Sequence, residues 1–227
     1  IYLLQLDLNT MPGTCTDEPC VIAGSYEGQL VGFRLTLPQS DSTSRTAQAT
    51  PLFSFSAHSS CIRSVACSGA FLITGSTDNT LAVYNLRKLR ILGKMLQQDG
   101  GGSVNCLRFF GTSHFLSAGD DGEICIWRTS DWECLLRMKG HRGGVLDLAI
   151  HPSGRLALTV AADNKLMLWN LLTGKCNYTS TLALPSRLVK WAPSGDLYVV
   201  GSPNGLVVHE LRSAASEWQM AHEDSTP

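Results

Sequence analysis

The sequence predicts an all-β fold of repeated four-stranded blades, the β-propeller class. Three observations predict it. Short apolar strand patterns recur at a near-constant interval, each recurrence closes on a ring-bearing anchor, and a polar turn residue precedes each anchor. The anchors are Phe33, Tyr84, Trp127, Trp169 and His209, separated by 51, 43, 42 and 40 residues. A single four-stranded blade takes about 40–45 residues.

The internal order of each unit supports the same fold. The strand patterns run Gly28 to Phe33, Asn79 to Asn85, Gly122 to Arg128 and Asn164 to Asn170, with Leu206 to Glu210 as a degraded fifth. Six positions before the first four anchors stands an acid: Glu27, Asp78, Asp121 and Asp163. The fifth unit has Asn204 five back. Four residues before the acid lies a hydroxyl in three units: Thr74, Ser117 and Thr159. A histidine opens two units, His58 and His141, where the third has Gly100 and the fifth Leu184. His151-Pro152-Ser153-Gly154 and Ala192-Pro193-Ser194-Gly195 suit type I turns, with Pro at the first central position and Gly at the end. Leu156 to Ala162 is almost wholly apolar, as for a strand buried on both faces. Leu166 and Leu168 alternate with Lys165 and Met167, as for a half-buried one. This is the WD-type repeat.

His141, Thr159, Asp163 and Trp169 resemble parts of a hydrolase triad; His58, Thr74, Asp78 and Tyr84 are the matching structural set two units earlier. A nucleophile needs an exposed hydroxyl and an oxyanion hole. The chain has no G-x-S-x-G elbow and no second polar cluster. The structural reading is the stronger: each set forms a hydrogen-bonded tetrad, and Ser117, Asp121 and Trp127 form an incomplete one. No catalytic residue is expected, nor a cofactor, a metal site or a small-molecule substrate. None of the eight cysteines forms a C-x-x-C pair, so the zinc-ribbon and thioredoxin patterns are missing. Cys106 and Cys125 lie in apolar strand patterns as small hydrophobes, and all eight thiols are expected reduced. Cys15 and Cys20 have no role in this scheme.

Charge is balanced, with 18 Lys+Arg against 19 Asp+Glu and a net charge of −1. Bulk electrostatics therefore favour neither nucleic acid nor membrane. Two local basic clusters remain: Arg87, Lys88, Arg90 and Lys94, and then Arg137, Lys139 and Arg142. Both read plainly as solvated charge. They are also the candidate partner-contact patches, with ribosomal RNA among the partners they could meet. No apolar stretch has the length of a membrane span.

The expected boundaries are an N-terminal extension over 1–20, propeller blades over 21–212 and a polar C-terminal tail over 213–227. Leu4, Leu6 and Leu8 alternate weakly, so the extension could hold a strand. Residues 38–51 are rich in Ser and Thr and read as a flexible loop insertion. In the tail, Trp218 could dock onto a blade. Five blades left as an open arc would expose strand edges, so the chain is expected to be an incomplete part of a seven-bladed ring.

The run His114 to Trp127, followed by Asp131-Trp132-Glu133-Cys134-Leu135, resembles the p21-activated kinase-interacting protein-like WD-repeat family. Ile150 to Leu158, Trp169-Asn170-Leu171, Ala23 to Glu27 and Gly32-Phe33 are similar as well. The resemblance covers about residues 21–211. It implies further blades and a nucleolar, nuclear factor that assembles the large (60S) ribosomal subunit with other assembly proteins on pre-60S particles, in pre-rRNA processing. It also implies a second role, binding and negatively regulating p21-activated kinase. A third reading is substrate receptor of a cullin-type ubiquitin ligase. Such receptors carry a W-D-x-R strand end, which Tyr84-Asn85-Leu86-Arg87 matches only loosely.

Overall fold

A computed structural model describes residues 9–10, 19–36, 48–97, 102–214 and 217–221. Among them there is no helix. Twenty strands form five four-stranded sheets. The first holds β1 (Asn9–Thr10), β2 (Pro19–Gly24), β3 (Gln29–Thr36) and β4 (Gln48–Ser56). The second holds β5 (Ile62–Ser68), β6 (Phe71–Ser76), β7 (Thr80–Asn85) and β8 (Arg90–Leu96). The third holds β9 (Val104–Phe110), β10 (His114–Gly119), β11 (Glu123–Arg128) and β12 (Cys134–Lys139). The fourth holds β13 (Val145–Ile150), β14 (Leu156–Ala161), β15 (Lys165–Asn170) and β16 (Lys175–Thr181). The fifth holds β17 (Leu188–Trp191), β18 (Leu197–Ser202), β19 (Gly205–Ala214) and β20 (Glu217–Ala221). Strands lie in chain order within every sheet, and each pairing whose register is described is antiparallel. These five meanders are the blades of a WD-repeat β-propeller fold. The chain divides into two compact units, Ile1–Ser117 and Ala118–Pro227, with the division inside β10.

Two local devices repeat from sheet to sheet. The residue after each turn acid is left-handed: Gly28 (φ 75), Asn79 (φ 63), Gly122 (φ 75) and Asn164 (φ 56). Glycine enters that region freely and asparagine more readily than other residues. The turn between second and third strands therefore selects Gly or Asn at this point. The second device is a bulge just before the anchor. Register slips between Gly32 and Phe33, Val83 and Tyr84, Ile126 and Trp127, and Leu168 and Trp169. Such a bulge increases the local twist of the outer strand.

The middle strands are buried on both faces. Every residue of β14 is buried, as its apolar sequence suggests. β15 departs from the expected alternation, because Met167 is buried along with Leu166, Leu168 and Trp169. A third strand sandwiched on both faces selects apolar residues at successive positions. Within the first unit, Cys20, Ile22 and Leu30 of the first sheet share a core with Ile62, Val65, Leu72 and Tyr84 of the second. Glycine lets the sheets approach there. A Cβ on Gly24 would lie 2.5 Å from Ile62 Cγ2, and one on Gly75 2.5 Å from Val104 Cγ1. Within the second unit, Leu158, Val160, Leu166 and Leu168 pack with Val189, Tyr198 and Val200.

The edges of the sequence reading shift. Asn9 and Thr10 pair with Cys20 and Pro19, so part of the 1–20 extension is the first strand of the first sheet. Leu4, Leu6 and Leu8 lie outside the described residues, as does 38–47 of the expected loop. That loop ends earlier than 51, because Gln48 to Pro51 already pair with β3. Pro51 sits opposite Phe33 at the bulge on an outer strand, one of the few places a sheet tolerates proline. In the tail, Trp218 lies on β20 opposite Ser213.

Candidate functional site

Two histidine-centred sets assemble, one in each unit. In the first, His58 follows β4 and reaches the second sheet. Its Nε2 lies 2.7 Å from Thr74 Oγ1, and its Nδ1 lies 3.1 and 3.2 Å from the two Asp78 oxygens and 2.9 Å from Thr80 Oγ1. Thr80 Oγ1 donates to Asp78 Oδ1 at 2.5 Å, and the Ser59 amide donates to Oδ2 at 3.2 Å. Burial raises the Asp78 carboxyl, but the Thr80 hydroxyl, His58 and the Thr80 and Ser59 amides outweigh it and hold it at about 2. Burial also pushes the His58 imidazole below its usual range. The neutral ring then donates from Nδ1 to the carboxylate and accepts the Thr74 hydroxyl at Nε2. Burial pushes the Tyr84 phenol up to about 12, against the pull of its bond to Thr74.

The second set has the same plan. His141 Nε2 lies 2.7 Å from Thr159 Oγ1, and its Nδ1 lies 3.1 and 3.2 Å from the Asp163 oxygens. Trp169 Nε1 donates to Thr159 Oγ1 at 2.9 Å. The amides of Arg142 and Lys165 donate to Asp163 at 2.9 and 3.2 Å. Burial raises the Asp163 carboxyl; the Arg142 amide first, then His141 and the Lys165 amide, bring it below its ordinary value. Burial lowers His141. Thr159 is fully buried, with its hydroxyl bonded on both sides. Each polar group is satisfied by another, so each set ties the end of one outer strand to the next sheet at about 1 kcal/mol per bond.

The third acid stands differently. Asp121 Oδ1 accepts the Glu123 amide at 2.8 Å, but Oδ2 is buried and has no partner among the described residues. Burial pushes its carboxyl up, and the neighbouring Glu123 and Asp120 carboxylates add to the rise. Glu123 is itself buried and pairs through Oε1 with Lys139. Ser117, in the first unit, and Trp127, in the second, are both buried. Gly100, at the histidine position, lies outside the described residues. The fifth sheet replaces the polar set with Val200 and a stack of His209 on Tyr198 at 4.9 Å.

The basic clusters separate in character. Arg87, Lys88, Arg90 and Lys94 are exposed on the β7–β8 hairpin and β8, and none forms an ion pair among the described residues. Lys139, by contrast, is bound to Glu123, and the Arg142 backbone is committed to Asp163. Sequence reasoning missed Asp147. It is buried on β13, and its Oδ2 accepts the Val189 amide at 3.1 Å, tying the fourth sheet to the fifth. The signal was an acid inside the apolar run Val145 to Ile150. Among the described residues no group of three or more His, Cys, Asp or Glu side chains could hold a metal ion. The seven described cysteines carry free thiols.

Repeating four-stranded sheets joined by such sets define a WD-repeat protein, and the WD domain, G-beta repeat family matches residues 49–85, 93–128 and 132–170. Each match begins on or just before an outer strand and ends on the third strand of the next sheet, the same offset the histidines bridge. The chain is 39% identical over 195 residues to a Gallus gallus protein named p21-activated protein kinase-interacting protein 1-like, covering 86% of this chain and 51% of that one. It is 35% identical over 205 residues to the Homo sapiens p21-activated protein kinase-interacting protein 1, covering 89% and 52%. It is 32% identical over 218 residues to Protein MAK11 of Saccharomyces cerevisiae, covering 86% and 52%. The chain belongs to the p21-activated kinase-interacting protein-like family of WD-repeat proteins. It spans about half the length of the curated relatives it matches.

Proposed function

We propose that this chain is a non-catalytic scaffold whose blades hold assembly proteins, and with them ribosomal RNA, during nucleolar construction of the large ribosomal subunit. The observation that carries the non-catalytic part is the closure of the histidine sets. Thr159 is buried and bonded to both His141 and Trp169, so its hydroxyl is not available to attack a substrate. The ribosomal part rests on the family resemblance of His114 to Leu135 and the strand ends around Trp169. The test is affinity purification of pre-60S particles with the tagged full-length protein, combined with depletion. Co-purification with large-subunit precursor RNA, and accumulation of unprocessed precursors on depletion, are expected. Absence from the particles with intact processing would overturn the reading.

A second reading is favoured by one observation, the names of the relatives, which describe interaction with p21-activated kinase. In that reading the same blades hold the kinase's regulatory region and restrain it. A pull-down of that region by the full-length protein decides it, and no binding at micromolar concentration would sink it.

A further inference from the structure

β8 differs from the other outer strands whose side chains are described. β4 and β16 expose no large aliphatic side chain, and β12 exposes Leu135 alone. The hairpin into β8 and β8 itself expose Leu89, Ile91, Leu92 and Leu96, between 40% and 61% of each. The same stretch carries Arg87, Lys88, Arg90 and Lys94, and there is no Asp or Glu from Leu86 to Gln97. An outer strand with exposed aliphatic side chains is what folded proteins ordinarily blunt, because its outer row of N–H and C=O groups pairs readily with another chain. β8 is the last strand of its sheet.

Leu89 is left-handed, at φ 46, and exposed. Trp132 and Gly174 hold the same place in the third and fourth hairpins, at φ 63 and 69, so the conformation belongs to the turn, and in the second sheet it carries an aliphatic side chain at the edge.

We propose that β8 is a docking edge for an extended, net-acidic peptide segment of a partner protein, which adds to the second sheet as a fifth strand. The peptide backbone pairs with β8. Its aliphatic side chains meet Leu89, Ile91, Leu92 and Leu96, and its carboxylates face the cations of Arg87, Lys88, Arg90 and Lys94, which make no ion pair among the described residues. Main-chain pairing supplies affinity and alternate side chains supply selectivity, as in other strand-addition sites. The charge alone would also suit RNA. Single-stranded RNA, however, is held by stacking its bases on aromatic rings, and no aromatic residue lies between Leu86 and Gln97. The exposed aliphatic side chains decide for a peptide.

The test pans a displayed library of random twelve-residue peptides against the full chain and measures the selected peptides by fluorescence anisotropy. Selected sequences are expected to be net acidic with alternating aliphatic residues, and to protect β8 amides from hydrogen exchange. Arg90→Glu with Lys94→Glu should weaken them by about tenfold, the scale of two partly screened ion pairs reversed in sign. Leu96→Ser should weaken them severalfold. Leu89→Gly suits the left-handed turn and so cannot act by unfolding; it too should weaken binding. Three results would each overturn the proposal: no enrichment of acidic-aliphatic peptides, affinities unchanged in all three variants, or a twelve-nucleotide single-stranded RNA displacing the peptides from β8. No ribosomal or kinase component enters the selection, so its outcome is independent of the function proposed above.

Discussion

Asp78 in the second sheet and Asp121 in the third occupy the same turn position and have opposite electrostatic fates. Asp78 receives Thr80, His58 and two amides and is held at about 2. Among the described residues Asp121 receives one amide and keeps one buried oxygen without a partner, and it is pushed up by burial and by Glu123. The lesson is that a repeated turn acid stabilises a blade only when its imidazole, hydroxyl and amide partners come with it. Without them it is a buried carboxyl that favours protonation.

The contrast can be broken or sharpened by substitution. The largest effect is expected at the centre of a complete set. Thr159→Val keeps the shape but leaves the Trp169 N–H and His141 Nε2 unsatisfied, and should cost about 3 kcal/mol, at 1–3 kcal/mol for each orphaned group. Calorimetric unfolding checks it, and a loss under about 1 kcal/mol would show that the sets are not structural ties. Asp163→Ala should lower the melting temperature likewise while leaving partner affinity per folded molecule unchanged.

Next comes Asp78→Asn. The Asp78 carboxyl moves from 3.8 to about 2 on folding, which corresponds to about 2 kcal/mol at roughly 1.36 kcal/mol per pKa step. Because the folded value is depressed, that stability is present above the unfolded value of 3.8 and is lost as pH falls through about 2. Urea unfolding across that window should show wild type and variant converging at low pH. A constant gap would assign the effect to packing instead.

The smallest effect is expected at Asp121→Asn, which should be neutral or stabilising by under about 1 kcal/mol at neutral pH, because it removes a charge from a buried site. The sign with pH is opposite to that of Asp78. The folded value is raised, so the site contributes most below the unfolded value and loses that contribution as pH rises through the folded one. A strongly destabilised Asp121→Asn would erase the comparison.

Much of this was legible in the chain because a repeat states its rules several times. Anchors, turn acids and hydroxyls recur at fixed offsets, so the blades and the members of both histidine sets could be named without coordinates. The Gly-or-Asn choice at 28, 79, 122 and 164 was visible too, though its left-handed meaning appears only in the backbone. Met167 was misplaced because an alternation rule assumes one wet face, and β15 has none. The end of the loop at 51 was misplaced because pairing with β3, a long-range contact, makes Gln48 to Pro51 a strand despite their polar composition.

The sequence by itself determined the architecture: four-stranded all-β units of the WD type, spaced by a period that local strand and turn chemistry sets. Only the tertiary structure decided which polar residues are satisfied. Among the described residues Lys139 is committed to Glu123 while Arg90 and Lys94 make no ion pair, Asp147 ties two sheets, and Asp121 lacks partners that Asp78 has. The reason is physical. Strand and turn formation depends on neighbours in the chain, whereas burial and hydrogen-bond satisfaction depend on groups brought together from positions 20 or more residues apart, as His58 and Asp78 are.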